Sequence, residues 1–359
     1  MPITVGVMGM KSVALRAASV FTHPAPPHDF LALFNPLSSA RQLRGVVTAV
    51  RPETPQSTTI AFRPGNGWSP HDAGQWARIG VEIDGVRQWR SYSLSAPAGS
   101  DPEITVTACG KVSAHLAHET RVGDIFFLAP PQGDFVLPTG PRPLLMLTAG
   151  SGITPVMSMI RTLVPRRPDA DVVLIHSARD RESTLFATEL AELSEQYDGL
   201  HVIHRFTGED GRIDFSDAAD LDALCPDWRS RKTYVCGPSE MLDAAESLWT
   251  NANLPDTLTV ERFATATYAE VDGATGGTVT FEKSDREIEA DGTTPLLEVG
   301  EEAGVLMPSG CRMGICRTCL TPLLSGQVRD LRTGEINATE GDLIQTCISA
   351  AAGNCHLDV

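Results

Sequence analysis

The sequence predicts a multidomain protein of mixed β and α/β class. Between Gln42 and about Leu137, short β-like runs alternate with Gly, Pro and Asp, a pattern typical of an antiparallel β-barrel. After Pro143, apolar strands alternate with amphipathic helices, which favours a doubly wound parallel sheet. A Cys-rich block follows a segment rich in Ala, Thr and Gly, which indicates a further domain at the C-terminus.

Length and composition agree with this division. A chain of 359 residues is long enough for two or three domains, each with a core of its own. The net charge of −16 argues against a nucleic-acid partner, because such binding requires a basic surface. Lys11 and Arg16 interrupt the apolar stretch Val5–Phe21, so we expect a short helix there rather than a signal peptide. No apolar run approaches the ~20 residues that span a bilayer, and we expect a cytoplasmic protein.

Changes of pattern divide the chain into five segments. These are an N-terminal extension (1–41), a barrel domain (42–138), an α/β domain (139–263), a linker (264–277) and a C-terminal domain (278–359). The strands expected in the barrel are Leu43–Val50, Thr58–Phe62, Trp76–Ile83, Gln88–Ser95, Ile104–Ala108 and Ile125–Leu128. The α/β domain should contain strands at Leu144–Thr148, Val172–His176, His201–Phe206 and Lys232–Cys236, with helices at Pro155–Leu163, Leu185–Tyr197 and Glu240–Asn251. In the C-terminal domain we expect a hairpin (Thr278–Lys283 and Glu287–Ala290) and a helix (Pro295–Ala303).

The cysteines of the C-terminal domain carry the most specific pattern. Cys311, Cys316 and Cys319 have the spacing Cys-x4-Cys-x2-Cys, and 27 residues separate Cys319 from Cys347. This is the spacing with which four thiolates hold a plant-type 2Fe–2S cluster. A zinc site is the alternative, but zinc loops use paired Cys-x2-Cys or Cys/His sets, and this sequence has no second pair. The pattern therefore predicts a 2Fe–2S cluster, and Cys109, Cys225 and Cys355 are expected to be structural.

Two short motifs of the barrel point to a flavin. Arg90-Ser91-Tyr92-Ser93 offers a guanidinium for a phosphate, a ring to stack on an isoalloxazine and a hydroxyl near its reactive nitrogen. Gly110-Lys111-Val112-Ser113 leads into a short helix, whose first amides suit the same phosphates. Together these motifs predict a flavin on the barrel.

Two motifs of the α/β domain point to a nicotinamide dinucleotide. Thr148-Ala149-Gly150-Ser151-Gly152-Ile153-Thr154-Pro155 passes from a strand end into a helix, where glycines permit a tight turn and close backbone approach. This is not the Gly-x-Gly-x-x-Gly fingerprint of ordinary Rossmann dehydrogenases. Tyr234-Val235-Cys236-Gly237-Pro238 ends a later strand at the edge where α/β proteins bind ligands.

Taken in order, these motifs resemble the ferredoxin–NADP reductase superfamily over residues 42–359. The likeness is to the class with a flavin barrel, an NAD(P) domain and a C-terminal β-grasp ferredoxin domain. Within that class, the segment Asp29-Phe30-Leu31-Ala32-Leu33-Phe34-Asn35-Pro36 resembles actinobacterial reductases that serve fatty-acyl desaturases and alkane-type hydroxylases. The resemblance implies a redox partner protein, an oxygenase, hydroxylase or desaturase that can be membrane-bound.

The resemblance also implies a role for each matched residue. Those at the flavin would be Arg90, Tyr92, Ser93, Gly110, Val112 and Ser113. Those at NAD(P)H would be Gly150, Gly152, Thr154, Pro155, Cys236, Gly237 and Pro238, with Glu261 and Phe263 closing the domain near the flavin. Tyr92, Ser93, Cys236 and Glu261 would lie nearest the hydride transfer, as positioning groups.

The identity of each cofactor follows from smaller features. The Gly-Lys-Val-Ser turn favours FAD, although the related phthalate-dioxygenase type uses FMN. Arg179, after the second strand of the α/β domain, and Lys232 favour the 2′-phosphate of NADPH, whereas Asp180 leaves NADH open.

The sequence thus predicts a reductase that moves electrons from NAD(P)H through a flavin and a cluster to a partner protein. The alternatives are the reductase of a Rieske-type dioxygenase or demethylase, a redox sensor without a dedicated acceptor, and an enzyme that reduces a small molecule itself. The redox-sensor alternative does not explain the flavin and nucleotide motifs. An enzyme that reduces a small molecule or O₂ itself would need a further metal motif or substrate domain, and the sequence contains no such motif.

Overall fold

The computed structural model describes residues 36–38, 42–263, 275–310, 314 and 317–359. The helix expected at 5–21, most of the extension motif, residues 264–274 of the expected linker, Cys311 and Cys316 lie outside the described residues. Within the described part, no helix combines the length and the apolar character that crossing a membrane requires.

The first part of the chain forms the antiparallel barrel that the sequence predicts. Its elements are β1 (Arg44–Thr54), β2 (Ser57–Pro64), β3 (Trp76–Ile83), β4 (Val86–Ser93), β5 (Glu103–Thr107), α1 (Lys111–His118) and β6 (Ile125–Leu128). The strands pair in the order β4-β3-β6-β1-β2-β5, and a bridge between Leu94 and Ile104 brings the end of β4 to β5. Ile60, Phe62 and Ile79 are fully buried inside, each worth about 1.5–3 kcal/mol of transfer free energy.

The second part is a five-stranded parallel sheet between two layers of helices. Its elements are β7 (Leu144–Ala149), α2 (Ile153–Arg166), β8 (Val172–Ala178), α3 (Ala187–Gln196), β9 (Leu200–Phe206), α4 (Ala219–Leu224), β10 (Lys232–Gly237), α5 (Ser239–Asn251) and β11 (Leu258–Arg262). Alternate residues of β7 face the two layers: Leu144 and Met146 pack with α2, and Leu145 and Leu147 pack with α5.

The strand order of this sheet locates its binding edge. The order is β11-β10-β7-β8-β9, so the chain first builds outward from β7 and then crosses to its other side with β10. In open α/β sheets, ligands bind at the carboxyl ends of the strands where the order reverses. That point lies between β7 and β10, at the two nucleotide motifs.

The third part is a mixed sheet with one helix packed on it. Its elements are β12 (Gly277–Phe281), β13 (Arg286–Ala290), α6 (Leu296–Glu302), β14 (Leu320–Asp330), β15 (Ile336–Asn337), β16 (Leu343–Gln345) and β17 (Ser349–Leu357). The order is β13-β12-β17-β14-β15, with β16 also on β14, and β12 runs parallel to β17. Leu296, Val299 and Phe281 belong to one buried cluster, which is made of residues of this part alone.

The predicted elements occur with shifted ends, and several strands are additional. The helix expected at 155–163 runs from Ile153 to Arg166, because proline is tolerated in a first helical turn and need not be its first residue. No strand is expected from the sequence at Leu258–Arg262 or beyond residue 320, where the structure has β11 and β14 to β17. These strands are short, bulged or interrupted by Gly and Pro, so pairing with distant neighbours decides them.

Candidate functional site

A cavity of about 1580 Å³ lies where the three parts of the chain meet. Its walls combine predicted site residues from the barrel and the α/β domain with glutamates of α6. The predicted residues on these walls are Arg90, Tyr92, Ser93, Gly110, Val112, Ser113, Gly150, Gly152, Thr154, Arg179, Gly237, Pro238, Glu261 and Phe263. Pro155 and Cys236 do not line it. Residues that stand far apart in sequence therefore share one space.

The barrel supplies an aromatic ring and a helix start to this cavity. Tyr92 lies near the end of β4, and burial raises the pKa of its phenol, which keeps the hydroxyl neutral. At the start of α1, the Ser113 hydroxyl accepts hydrogen bonds from the amides of Cys109 and Gly110, at 3.0 and 2.9 Å. Ser113 thus shapes the turn. The first amides of α1 have no acceptor within the helix, which suits a phosphate.

Arg90 has its partners in two different parts of the chain. Its guanidinium donates to the carbonyl of Trp89 at 3.0 Å and to Oε1 of Glu298, in α6, at 2.8 Å. A guanidinium carries five N–H donors, so donors remain for a phosphate in the cavity. The ion pair with Glu298 is a contact that the sequence does not reveal.

The nucleotide loop owes its shape to two glycines. Gly150 has φ of +53°, in the left-handed region, and Gly150–Gly152 forms a short 3₁₀ turn before α2. A Cβ on Gly152 would stand 2.2 Å from the carbonyl oxygen of Cys236, so the loop can lie against β10 only because this residue is glycine. Thr154 donates its hydroxyl to the carbonyl of Ser151 at 2.9 Å and completes the turn. Pro155 is buried within α2.

Cys236 and Glu261 are neighbours in register across β10 and β11, yet they differ in access. Cys236 is completely buried in the apolar core, where burial raises the pKa of its thiol, and it does not line the cavity, contrary to the expectation. Glu261 lines the cavity, and burial, with a smaller contribution from the charge of Asp134, raises its pKa to about 7. Of the two, Glu261 is the side chain with access to a bound ligand.

The far end of the cavity carries exposed cations. Arg179 lines it, and its guanidinium makes no salt bridge within the described part of the chain. Asp180 instead accepts a hydrogen bond from the Ser183 amide at 2.9 Å, which lowers the pKa of its carboxyl and commits it to a local turn. Arg212 lines the same end, paired with Glu240 at 2.9 Å, and no sequence pattern identified it.

Lys232 does not belong to this site, contrary to the expectation. It begins β10, at the amino end of the strand, and its ammonium donates to the carbonyl of Asp256 at 3.0 Å. The nucleotide loop and Arg179 lie at the carboxyl ends of β7 and β8. Lys232 is therefore separated from the nucleotide loop and Arg179 by the full length of a strand.

Two of the four predicted cluster ligands are described, and they lie side by side. The sulfurs of Cys319 and Cys347 are 3.2 Å apart, and both residues are buried. The contact with Cys347 lowers the pKa of the Cys319 thiol, which favours the thiolate that binds metal. Gln345 donates to the carbonyl of Gly314 at 2.9 Å and so ties the ligand loop to β16. This pair fits a cluster, with Cys311 and Cys316 as the predicted remaining ligands.

The three unassigned cysteines divide into two kinds. Cys225 and Cys355 are buried, and burial raises the pKa of each thiol to about 11, as expected of structural residues. Cys109 is exposed and lines the cavity beside the α1 turn, so unlike the other two it is not a core residue.

Comparison with known proteins agrees with this architecture. Residues 146–247 match the family described as an oxidoreductase NAD-binding domain, and residues 279–352 match the 2Fe–2S iron–sulfur cluster binding domain. An NADPH oxidoreductase of Mycobacterium tuberculosis is 47% identical over 353 residues, covering 96% of this chain and 91% of its own. The ferredoxin reductase component of a Mycolicibacterium smegmatis 3-ketosteroid-9-alpha-monooxygenase is 33% identical, covering 72% of this chain and 77% of its own.

Among solved structures, phthalate dioxygenase reductase has the same fold. It superimposes with a TM-score of 0.68 at 24% identity, covering 88% of this chain and 97% of its own. The fold and the matched domains define an NAD(P)H-dependent oxidoreductase of the electron-transfer type. The chain belongs to the ferredoxin–NADP reductase superfamily, in the class with a C-terminal 2Fe–2S ferredoxin domain.

Proposed function

We propose that this protein oxidises NADPH and delivers the two electrons singly, through FAD and a 2Fe–2S cluster, to a partner oxygenase, hydroxylase or desaturase. The observation that carries the proposal is the cavity shared by the barrel, the α/β domain and α6. The flavin motif and the dinucleotide motif both line this cavity, and α6 of the C-terminal domain forms part of its wall. We place the protein in the cytoplasm, where this nucleotide is available.

The barrel side of the cavity fits a flavin. Tyr92 supplies a neutral aromatic ring, Ser93 a hydroxyl, and the start of α1 unpaired amides for phosphate. Open space surrounds Gly110 where a Cβ would stand, so a phosphate can approach its backbone closely. The Gly-Lys-Val-Ser turn and the volume of the cavity favour FAD over FMN. Bound there, the flavin supplies the conversion of a two-electron donor into single electrons.

The α/β side of the cavity fits NADPH. The glycine loop and the start of α2 suit the pyrophosphate, while Gly237 and Pro238 line the approach to the barrel. Arg179 and Arg212 supply positive charge for a 2′-phosphate, and Asp180 is engaged with Ser183 instead of a ribose. The M. tuberculosis relative is named for NADPH, which supports the same choice.

The overall reaction balances without an acid–base residue. One NADPH and two oxidised acceptors give NADP⁺, one proton and two singly reduced acceptors. The residues of this chain therefore bind, orient and exclude water, and Glu261 is the titratable group placed to tune the charge near the reacting atoms.

The acceptor is proposed from the relatives. The M. smegmatis protein is named as the reductase component of a monooxygenase, and another relative, from Chromohalobacter salexigens, as the reductase subunit of glycine betaine monooxygenase. These names favour an oxygenase as the partner. The extension motif favours a desaturase or alkane-type hydroxylase as the alternative.

The experiment compares the wild type with Cys347→Ala. The wild type should contain flavin, iron and sulfide, and NADPH should bleach both the flavin and the cluster. Cys347→Ala should lose the cluster and the reduction of a protein acceptor, because a buried ligand is missing, yet retain NADPH reduction of the flavin. Cys355→Ser, a buried cysteine outside the ligand set, serves as the control. A normal cluster spectrum in Cys347→Ala would contradict the assignment.

A further inference from the structure

The C-terminal domain contacts the barrel at the edge strand β4 and its neighbour β3. Nη2 of Arg90, in β4, lies 2.8 Å from Oε1 of Glu298, in α6. Nη1 of Arg78, in β3, donates to the carbonyl oxygen of Ser309 at 2.7 Å. Ser309 stands two residues before Cys311, the first predicted cluster ligand. One contact therefore holds the helix of the C-terminal domain and the other holds the entrance of the ligand loop.

The two contacts lie on opposite faces of the sheet. In the register of β3 and β4, Arg90 pairs with Ile79, and Arg78 pairs with Ser91. Side chains of paired residues share a face, and successive residues alternate, so Arg78 and Arg90 point to opposite sides. The C-terminal domain thus engages the edge of the barrel from both sides, which resists rotation as well as separation.

Trp89 connects the two contacts. The guanidinium of Arg78 lies over its ring, 5.6 Å from the centroid, and its carbonyl accepts a hydrogen bond from Arg90. A cation stacked on an indole loses rotational freedom, so Arg78 is oriented before it reaches Ser309. The pair Arg90–Glu298 is partly exposed and therefore screened, whereas the Arg78 contact is to a backbone carbonyl of the ligand loop.

We propose that the paired strands β3 and β4 are the docking edge for the C-terminal domain, and that Arg78 is a positioning residue for electron transfer between the flavin and the cluster. The proposal rests on the proposed function. Strand β4 carries Tyr92 and Ser93 on the flavin side of the cavity and pairs with β3, so docking on this edge fixes the ligand loop relative to the flavin. The step that this docking serves moves one electron from the reduced flavin to one oxidised cluster.

The test is Arg78→Ala in the full chain with its cofactors. Loss of a charged hydrogen bond should lower the docked fraction and slow cluster reduction by NADPH about ten- to a hundredfold. Stopped-flow absorbance should show flavin reduction at the wild-type rate, and X-ray scattering should show a larger radius of gyration, with or without NADPH. Arg78→Lys keeps a donor and should recover part of the rate.

The matched control is Arg87→Ala, in β4, the strand paired with the β3 strand that carries Arg78. Arg87 pairs with Glu82 and lies over Phe127, both within the barrel, so its loss should leave cluster reduction and the radius of gyration unchanged. Wild-type rates and dimensions in Arg78→Ala would overturn the docking proposal alone. A wild type whose cluster is not reduced by NADPH would instead overturn the proposed function. Should Arg78→Ala not fold, Arg78→Lys and Glu298→Gln give the same comparison.

Discussion

Glu261 is a residue of the cavity whose surroundings bring the pKa of its side chain close to neutral pH. It lies near the end of β11, and burial and the charge of Asp134 raise the pKa of its carboxyl to about 7, from an ordinary value of 4.5. A carboxyl whose pKa is raised by folding favours the folded state only in its protonated form. Stability should therefore fall as the pH rises from about 4.5 to about 7, with the full penalty above pH 7.

Glu261→Gln should remove this dependence. We expect the Tm of the wild type to fall more between pH 5 and pH 8 than that of the variant, by about 2–4 °C for each kcal/mol of penalty. Thermal unfolding at both pH values measures it, and Glu240→Gln, an exposed carboxyl, is the control. Parallel pH profiles for wild type and Glu261→Gln would show that the carboxyl is not perturbed.

Arg179 should decide the choice between the two nicotinamide cofactors. A charge-assisted contact between an arginine and a phosphate is worth about 1.5–3 kcal/mol. Arg179→Ala should therefore lower kcat/KM about ten- to a hundredfold with NADPH and leave the value with NADH nearly unchanged. The control is Arg181→Ala, because Arg181 lies over the ring of Phe206 and does not line the cavity. An equal small change with both cofactors would remove Arg179 from the phosphate site.

At the scale of the elements, the nucleotide site depends on how closely one loop approaches one strand. The turn Gly150–Gly152 lies directly against the end of β10, and the backbone there, rather than a side chain, forms the wall. The loop also positions the start of α2, whose first amides suit the phosphates. A small displacement of this turn should therefore affect stability and nucleotide binding together.

Gly152→Ala tests the close approach. The new methyl group would stand 2.2 Å from the Cys236 carbonyl oxygen, so loop and strand must separate. Overpacking of this kind costs about 1–3 kcal/mol, and we expect a lower Tm and a higher KM for NADPH. Ser151→Ala, at the exposed neighbouring position, should change the Tm little. A Gly152→Ala variant with the Tm and KM of the wild type would show that the loop is not tightly packed.

At the scale of the whole molecule, the three parts have separate buried cores but line one common cavity. The buried cluster of the C-terminal domain contains residues between Val279 and Leu357, and the other clusters contain none of these. The cavity, however, is also lined by Glu298, Glu301 and Glu302 of α6. The buried clusters are therefore separate, while the cavity is lined by residues of all three parts.

A chain ending at Ala266 tests the modularity. We expect it to fold, bind flavin and reduce ferricyanide with NADPH, because its cores are complete, but to fail with a protein acceptor. Flavin absorbance and turnover with the two acceptors measure this. An insoluble fragment without flavin would mean that α6 and its pair with Arg90 are part of the flavin site itself.

The sequence alone is sufficient for the fold class, the order of the domains and the motifs at the cavity. Glycine turns, alternating strands and cysteine spacing are local patterns that can be read from the sequence. Phosphate binding and cluster ligation each require particular residue types at a particular spacing. The barrel strand Trp76–Ile83 and the strand Ile125–Leu128 have the predicted bounds, since a turn precedes each of them.

Only the tertiary structure decides which side chains reach the site. Cys236 ends a motif strand yet is buried, Lys232 lies at the wrong edge of the sheet, and Arg212 joins the site from a loop without a motif. The contacts of Arg90 with Glu298 and of Arg78 with Ser309 join residues more than 200 positions apart. No local pattern encodes such pairs, because they form only where surfaces of different parts of the chain pack together and bring a donor to an acceptor.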